Sequence, residues 1–212
     1  MQPITRFAYR GQVKQDCLEE WKQYICENKA VFAKVASQKN MTAWSIHMSE
    51  EQVFMYYECT DIPVTPAELF PEESCRMLET FAGEKKPRCF VQMYDIFHAN
   101  VPRSQEHWER KPGAVPHGRI LRLKPEMVSS YIFYHYQLQE ERLGTADKHE
   151  VIYLHENMMF FYAEKNDEKE GLLEGKLSTH NTPDNWGALM QPHFMDAEWM
   201  EIPMIFNLGE MK

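Results

Sequence analysis

Residues 124–141, KPEMVSSYIFYHYQLQEE, read as one amphipathic helix around which the rest of the chain is organised. Pro125 stands at its start, where the missing backbone donor costs nothing and φ is preset. Val128, Tyr131, Ile132, His135 and Leu138 recur at helical spacing and make one stripe. Tyr131 and His135 lie one turn apart on the same face. A phenol and an imidazole on a core-facing stripe are costly to bury without partners. The pair marks a candidate pocket.

Outward from this helix, the chain writes one unit twice. Residues 13–25, VKQDCLEEWKQYI, run parallel to residues 123–135, LKPEMVSSYIFYH. Lys14 matches Lys124, Asp16 matches Glu126 and Trp21 matches Tyr131. Residues 53–61, VFMYYECTD, match residues 159–167, MFFYAEKND, including the closing Asp61 and Asp167. The pairs Thr65-Pro66 and Thr182-Pro183 follow as helix-start signals. Apolar stretches at 88–97 and 200–208 close the units, and Pro203 makes the second an edge strand or a bulge.

Each unit therefore reads β-α-β-β-α-β. The first has a strand at 6–13, a helix at 17–35, strands at 41–48 and 52–59, a helix between 66 and 81, and a last strand. The second has a strand at 118–123, the organising helix and hairpin strands at 150–154 and 158–164 around His155-Glu156-Asn157. Its second helix opens in 181–192. This order is the ferredoxin-like split βαβ. The expected fold is α+β, with two tandem ferredoxin-like units at 1–100 and 118–212, facing each other as an intrachain α/β-barrel pseudo-dimer. Residues 101–117 are the expected linker, in a stretch rich in proline and mixed charge.

A formal charge of −9 and a pI near 5.5 argue against a nucleic-acid surface and an anionic membrane surface. No run is long and apolar enough for a membrane helix, and the N-terminus lacks a signal peptide's apolar stretch. Cys17, Cys26, Cys59, Cys75 and Cys89 are odd in number and make no CxxC pair. They read as free thiols of a cytoplasmic protein without a zinc site. The methionines read as core filler, His193 as structural, and the acidic run 164–174 as a solvated loop. His149 and His155 flank a hairpin strand, where they line the pocket or face water.

The second unit resembles the L-rhamnose mutarotase family. The matching residues are Tyr131, His135 and Glu141 on the helix, the run Ile152-Tyr153-Leu154, then Trp186 and Trp199. It departs where Glu198 replaces the first residue of a Trp pair, and where Phe133 and Tyr134 replace basic neighbours of the histidine. The resemblance implies an isomerase, mutarotase- or epimerase-like, that interconverts the anomers of a monosaccharide. His135 and Glu141 would be catalytic, Tyr131, Tyr153, Trp186 and Trp199 would contact the sugar, and no cofactor or metal would be needed. Ring opening moves one proton onto the ring oxygen and another off the anomeric hydroxyl, and an imidazole of ordinary pKa about 6.5 can carry either. In the first unit Ile25, Trp21 and Leu69 replace His135, Tyr131 and Trp186, so that unit reads as scaffold. The alternative is a non-catalytic small-molecule binding protein, or a haem- or monooxygenase-type α/β-barrel protein. The expected assembly is a monomer or a homodimer.

Overall fold

Lys14 and Lys124 show how repeated sequence becomes repeated structure. Their backbone N–H groups donate to Met77 O and His193 O, at 2.9 and 2.8 Å. Their Nζ atoms donate to Arg76 O and Pro192 O, both at 2.8 Å. Just upstream, Val13 and Leu123 bridge Leu78 and Phe194. Just downstream, the 3-10 turns Gln15–Cys17 and Pro125–Met127 lead into helices. A computed structural model describes residues 3–60, 62–82, 87–141, 144–173 and 175–211. Asp61 and Glu174, which the sequence reading used, lie outside the described residues.

In chain order the elements begin with β1 (Thr5–Gln12), α1 (Leu18–Glu27), α2 (Lys29–Gln38), β2 (Met41–Ser49) and β3 (Gln52–Cys59). Next come α3 (Pro66–Leu69), α4 (Glu72–Cys75), β4 (Phe90–His98), β5 (Val115–Arg122) and α5 (Val128–Glu141). Then follow β6 (Thr145–Asp147), β7 (Val151–His155), β8 (Met158–Lys165) and β9 (Lys169–Gly171). The last are α6 (Trp186–Met190), β10 (Met200–Ile202) and β11 (Met204–Asn207). The chain is α+β, and β1 with β3 and β4, β2 with β3 and β11, β7 with β4 and β8, β5 with β8, and β6 with β9 pair antiparallel.

These elements form two compact units. Unit 1 is Met1–Met93 with Arg103–His107 and Ile202–Lys212. Its strand order is β4-β1-β3-β2-β11, where β4 contributes its first residues through Met93. The edge of β2 is closed by β11: Met204 pairs with His47, and Phe206 pairs with Ile46 after a register shift. Pro203 cannot donate to a ladder, but its carbonyl accepts from Met48 N–H at 2.9 Å. Phe206 then packs on Trp44 and Phe32, with ring centroids 4.9 and 5.6 Å away.

Unit 2 is Tyr94–Pro102 with Trp108–Glu201. Its order is β10-β5-β8-β7-β4, where β4 contributes Tyr94 to His98. In both units the middle strand is buried on both faces. Val53, Met55, Tyr57 and Cys59 of β3 join the core of unit 1, while Phe54, Tyr56 and Glu58 point the other way and are also fully buried. On β8, Met159, Phe161 and Ala163 pack with the α5 residue Tyr131, and Phe160, Tyr162 and Glu164 are buried opposite. Each buried carboxylate has partners. Glu58 accepts from Tyr56 Oη (2.6 Å) and Thr42 Oγ1 (3.2 Å), and Glu164 from Tyr162 Oη (2.9 Å) and Arg110 Nε (2.6 Å).

Several elements differ from the sequence reading. The single helix at 17–35 is two, because Asn28 ends α1 by donating both its backbone N–H and its Nδ2 to Tyr24 O. The helix after Thr65 starts as expected, with a Thr65–Glu68 capping box, but Pro71 splits it into α3 and α4. Thr182-Pro183 does not open a helix, and α6 begins at Trp186. The run 164–174 is not a solvated loop: Glu164 is buried, and Lys169–Gly171 pairs with Thr145–Asp147. Pro203 divides the last apolar stretch into two strands in different units. Among the described residues no helix is long and apolar enough to cross a membrane.

Closure of β2 by β11 makes a direct prediction. Truncation of Phe206 to Ala should lower stability by about 3–5 kcal/mol in denaturant unfolding. Removing residues 203–212 should speed amide exchange along Ser45 to Met48 in hydrogen-exchange mass spectrometry, and leave β1 to β3 pairing the slower-exchanging part.

Candidate functional site

The α5 stripe meets the face of unit 2's sheet that carries Leu121, Ile152, Leu154 and Phe161. Tyr131 and His135 are both buried, with 2% and 3% of their surfaces exposed. Their rings lie 4.1 Å apart. Trp186, the first residue of α6, sits 4.9 Å from the His135 ring, and Phe97 of β4 sits 5.6 Å from it. His135 Nδ1 is 3.0 Å from Tyr131 O. A carbonyl only accepts, so Nδ1 carries the hydrogen and Nε2 presents a lone pair. Burial pushes the His135 pKa down to about 4, against the lift from that hydrogen bond. At neutral pH the ring is an uncharged acceptor with no spare proton to give.

Glu141 is placed differently. Its Oε1 accepts from Thr179 Oγ1 (2.7 Å) and Asn181 N–H (2.8 Å). Its Oε2 accepts from Thr182 N–H (2.7 Å) and Thr182 Oγ1 (2.5 Å). A carboxylate offers about four lone-pair sites, so this one is filled. Burial raises its pKa, but the hydrogen bonds outweigh it and hold the carboxyl at about 2. Glu141 ties the end of α5 to the loop before α6.

Tyr153 is buried, but it alternates with Ile152 and Leu154, which pack under α5. Its side chain therefore leaves the opposite face of the sheet. Trp199 is half-buried in the same cluster as Trp186, with its ring 5.8 Å from Phe161. The structure thus gathers Tyr131, His135, Trp186 and Trp199 around one cluster and sends Tyr153 and Glu141 elsewhere. His149 neither lines that cluster nor faces water: its Nδ1 is 3.0 Å from Asp167, and its ring packs 4.5 Å from Trp108. His193 holds Ser130 Oγ at 2.7 Å.

Two residues that the sequence reading missed complete the site. Arg119 pairs with Phe161 across β5 and β8 and lays its guanidinium over that ring, 4.2 Å from the centroid, and 5.8 Å from the Trp199 ring. Its Nε is buried and makes no hydrogen bond among the described residues. Glu150 stands just before β7, within electrostatic reach of Arg119. Burial first, then the charge of Asp147, raises its carboxyl to about 7, against the pull of Arg119 and Lys169. The legible signal was Arg119 itself, a charge in register with Leu121 on a strand face that otherwise carries core residues. Glu150 gave none, because its pKa comes from burial that only the fold creates. Among the described residues no group of three His, Cys, Asp or Glu side chains could hold a metal ion.

No family model and no curated protein matches the chain. Three solved structures do. Two are described as "putative monooxygenase". The one from Lactobacillus acidophilus NCFM is 7% identical, covers 97% of this chain and 95% of that one, and has a TM-score of 0.43. The one from Fusobacterium nucleatum is 10% identical, with 97% and 93% covered and a TM-score of 0.43. The third, an "anthrone oxidase-like protein", is 7% identical, with 96% and 91% covered and a TM-score of 0.40. Likeness at this level carries no argument about activity.

These findings overturn the resemblance to L-rhamnose mutarotases, and with it the assignment to sugar isomerisation. No family model supports it, and the matched structures bear other names. The site agrees for a physical reason. Mutarotation needs one group to give a proton as another takes one, whereas His135 is neutral and the Glu141 oxygens are filled.

Two pH experiments check this geometry. The His135 ring signals should show no titration between pH 8 and 5 in NMR, and should move near pH 4. Because the unfolded chain binds that proton first, stability should fall as pH drops from about 6.5 to 4, and His135→Phe should flatten that slope. Glu141 works in a lower window: its contribution is full above about pH 4.5 and is lost as pH falls towards 2. Glu141→Ala should lower the melting temperature at pH 7 and expose residues 179–182 to limited proteolysis.

Proposed function

We propose that unit 2 binds a small, flat, anionic molecule, such as a phenolate or an enolate, on the α5 side of its sheet, and that the protein oxidises it with molecular oxygen. One observation carries the reading: Arg119 is stacked on aromatic rings with a buried Nε that has no acceptor among the described residues. A buried donor is normally hydrogen-bonded, so an acceptor is expected from a ligand. Trp199 and Phe161 supply a wall on which a planar ring can stack. Glu150, with a carboxyl near 7, can take a proton from an acidic phenol or enol near neutral pH. The neutral His135 can accept a second hydrogen bond at Nε2. Removing that proton makes the substrate electron-rich, the state in which it reduces oxygen. Oxidation of a ring CH₂ to a carbonyl then consumes one O₂ and releases one water.

Monooxygenase and anthrone oxidase are the activities named for the matched structures, and this proposal is of the same class. Its binding and proton-transfer parts rest on Arg119 and Glu150. We further propose that each unit is ferredoxin-like. The orders β4-β1-β3-β2 and β10-β5-β8-β7 both support this, as do the matched hydrogen bonds of Lys14 and Lys124. Unit 1 would then be scaffold, because buried Trp21 and Ile25 stand where Tyr131 and His135 stand in unit 2.

The test uses a panel of phenols and enolisable polycyclic ketones, followed by tryptophan fluorescence and oxygen uptake. Arg119→Met should weaken binding of the anionic members at least tenfold and leave neutral analogues unaffected. Glu150→Gln should keep binding and lose most of the oxygen uptake. Binding without uptake would leave a non-catalytic binding protein, and no binding by any member would remove the reading.

A further inference from the structure

The thiols of Cys75 and Cys89 are neighbours in unit 1. Cys75 closes α4, and Cys89 stands just before β4. The Cys89 thiol donates to Cys75 O at 3.5 Å, and its sulfur is close enough to act on the Cys75 thiol. Both are held from behind. Ser74 Oγ anchors the α4 turn to Pro71 O at 2.7 Å, and Cys75 O also accepts from Leu78 N–H at 3.0 Å. On the other side, Phe90 is fixed in the sheet by its pairing with Gly11. That approach tolerates only glycine, since a Cβ at Gly11 would come within 2.7 Å of the Phe90 ring. Both cysteines are only partly buried, so a small oxidant can reach them.

We propose that Cys75 and Cys89 form a reversible disulfide when the protein meets a peroxide. A disulfide needs two side chains that point together, and here the Cys89 sulfur rests on the Cys75 backbone while the two thiols act on each other. Burial and the adjacent thiol push Cys75 up to about 12, so little of it is thiolate. Cys89 therefore reacts first: its sulfur attacks hydrogen peroxide, becomes a sulfenic acid, and one water leaves. Cys75 sulfur then attacks that sulfur and loses its proton to the departing hydroxide as a second water. Two thiols lose two electrons and two protons, and one peroxide becomes two waters. Of the other three thiols, Cys59 is buried, Cys17 lies beside Asp16 and Cys26 is exposed.

The experiment exposes the natural protein to a small excess of hydrogen peroxide, blocks remaining thiols, and measures intact mass and linked peptides. Before blocking, the expected result is a loss of about 2 Da. Free thiols should fall from five to three, with one linked peptide joining Cys75 to Cys89 and full recovery by a dithiol reductant. Cys75→Ser should stop at a Cys89 sulfenic acid that dimedone traps, and Cys89→Ser should leave Cys75 reduced. A different pairing, sulfinic acid at Cys89 of the natural protein, or five unreacted thiols would overturn the proposal.

Discussion

Burial of both faces of a central strand is the constraint on which each unit depends. A strand covered on one side can alternate apolar and polar residues, and water satisfies the outer row. β3 and β8 have no such outlet. Their second rows end in Glu58 and Glu164, and an unpaired carboxylate there would cost several kcal/mol. A tyrosine two residues earlier solves this in both places, because its hydroxyl reaches the carboxylate along the same face. The Tyr-x-Glu pattern is thus a structural device, repeated with the unit.

The other face of unit 2 shows how burial divides chemical roles. His135 and Glu141 belong to one helix, yet burial makes the first a weak base, and hydrogen bonding makes the second a permanently charged anchor. Arg119 lies on β5 and Glu150 just before β7, the two strands that flank β8, and among the described residues the Arg119 Nε has no hydrogen-bond partner. Reactivity here follows from what each polar atom already holds.

Most strands were legible in the sequence, because apolar segments recur in register in the two halves and His155-Glu156-Asn157 marks a hairpin turn, but β6 and β9 were not. The duplicated lysine was legible too, and its hydrogen bonds match in both units. Helix breaks were harder. Asn28 and Pro71 interrupt apolar patterns that continue past them, and periodicity does not record the break. The division of the last stretch at Pro203 depends on a partner strand, β2, far away in the chain. Within the site, Tyr131 and His135 could be placed on one face by spacing, whereas Trp186 and Trp199 entered through the resemblance alone. The fate of Glu141 could not, since its partners are backbone groups of a loop. A motif of the right residue types was therefore read as catalytic when its carboxylate was already spoken for.

The position of β11 in the chain has a consequence for biosynthesis. The strand that seals β2 is translated only after the whole of unit 2. Until it leaves the ribosome, the nascent first unit presents an unpaired sheet edge and an aromatic socket around Trp44. During that interval another polypeptide can add to the edge, so chaperone shielding would be needed most late in translation.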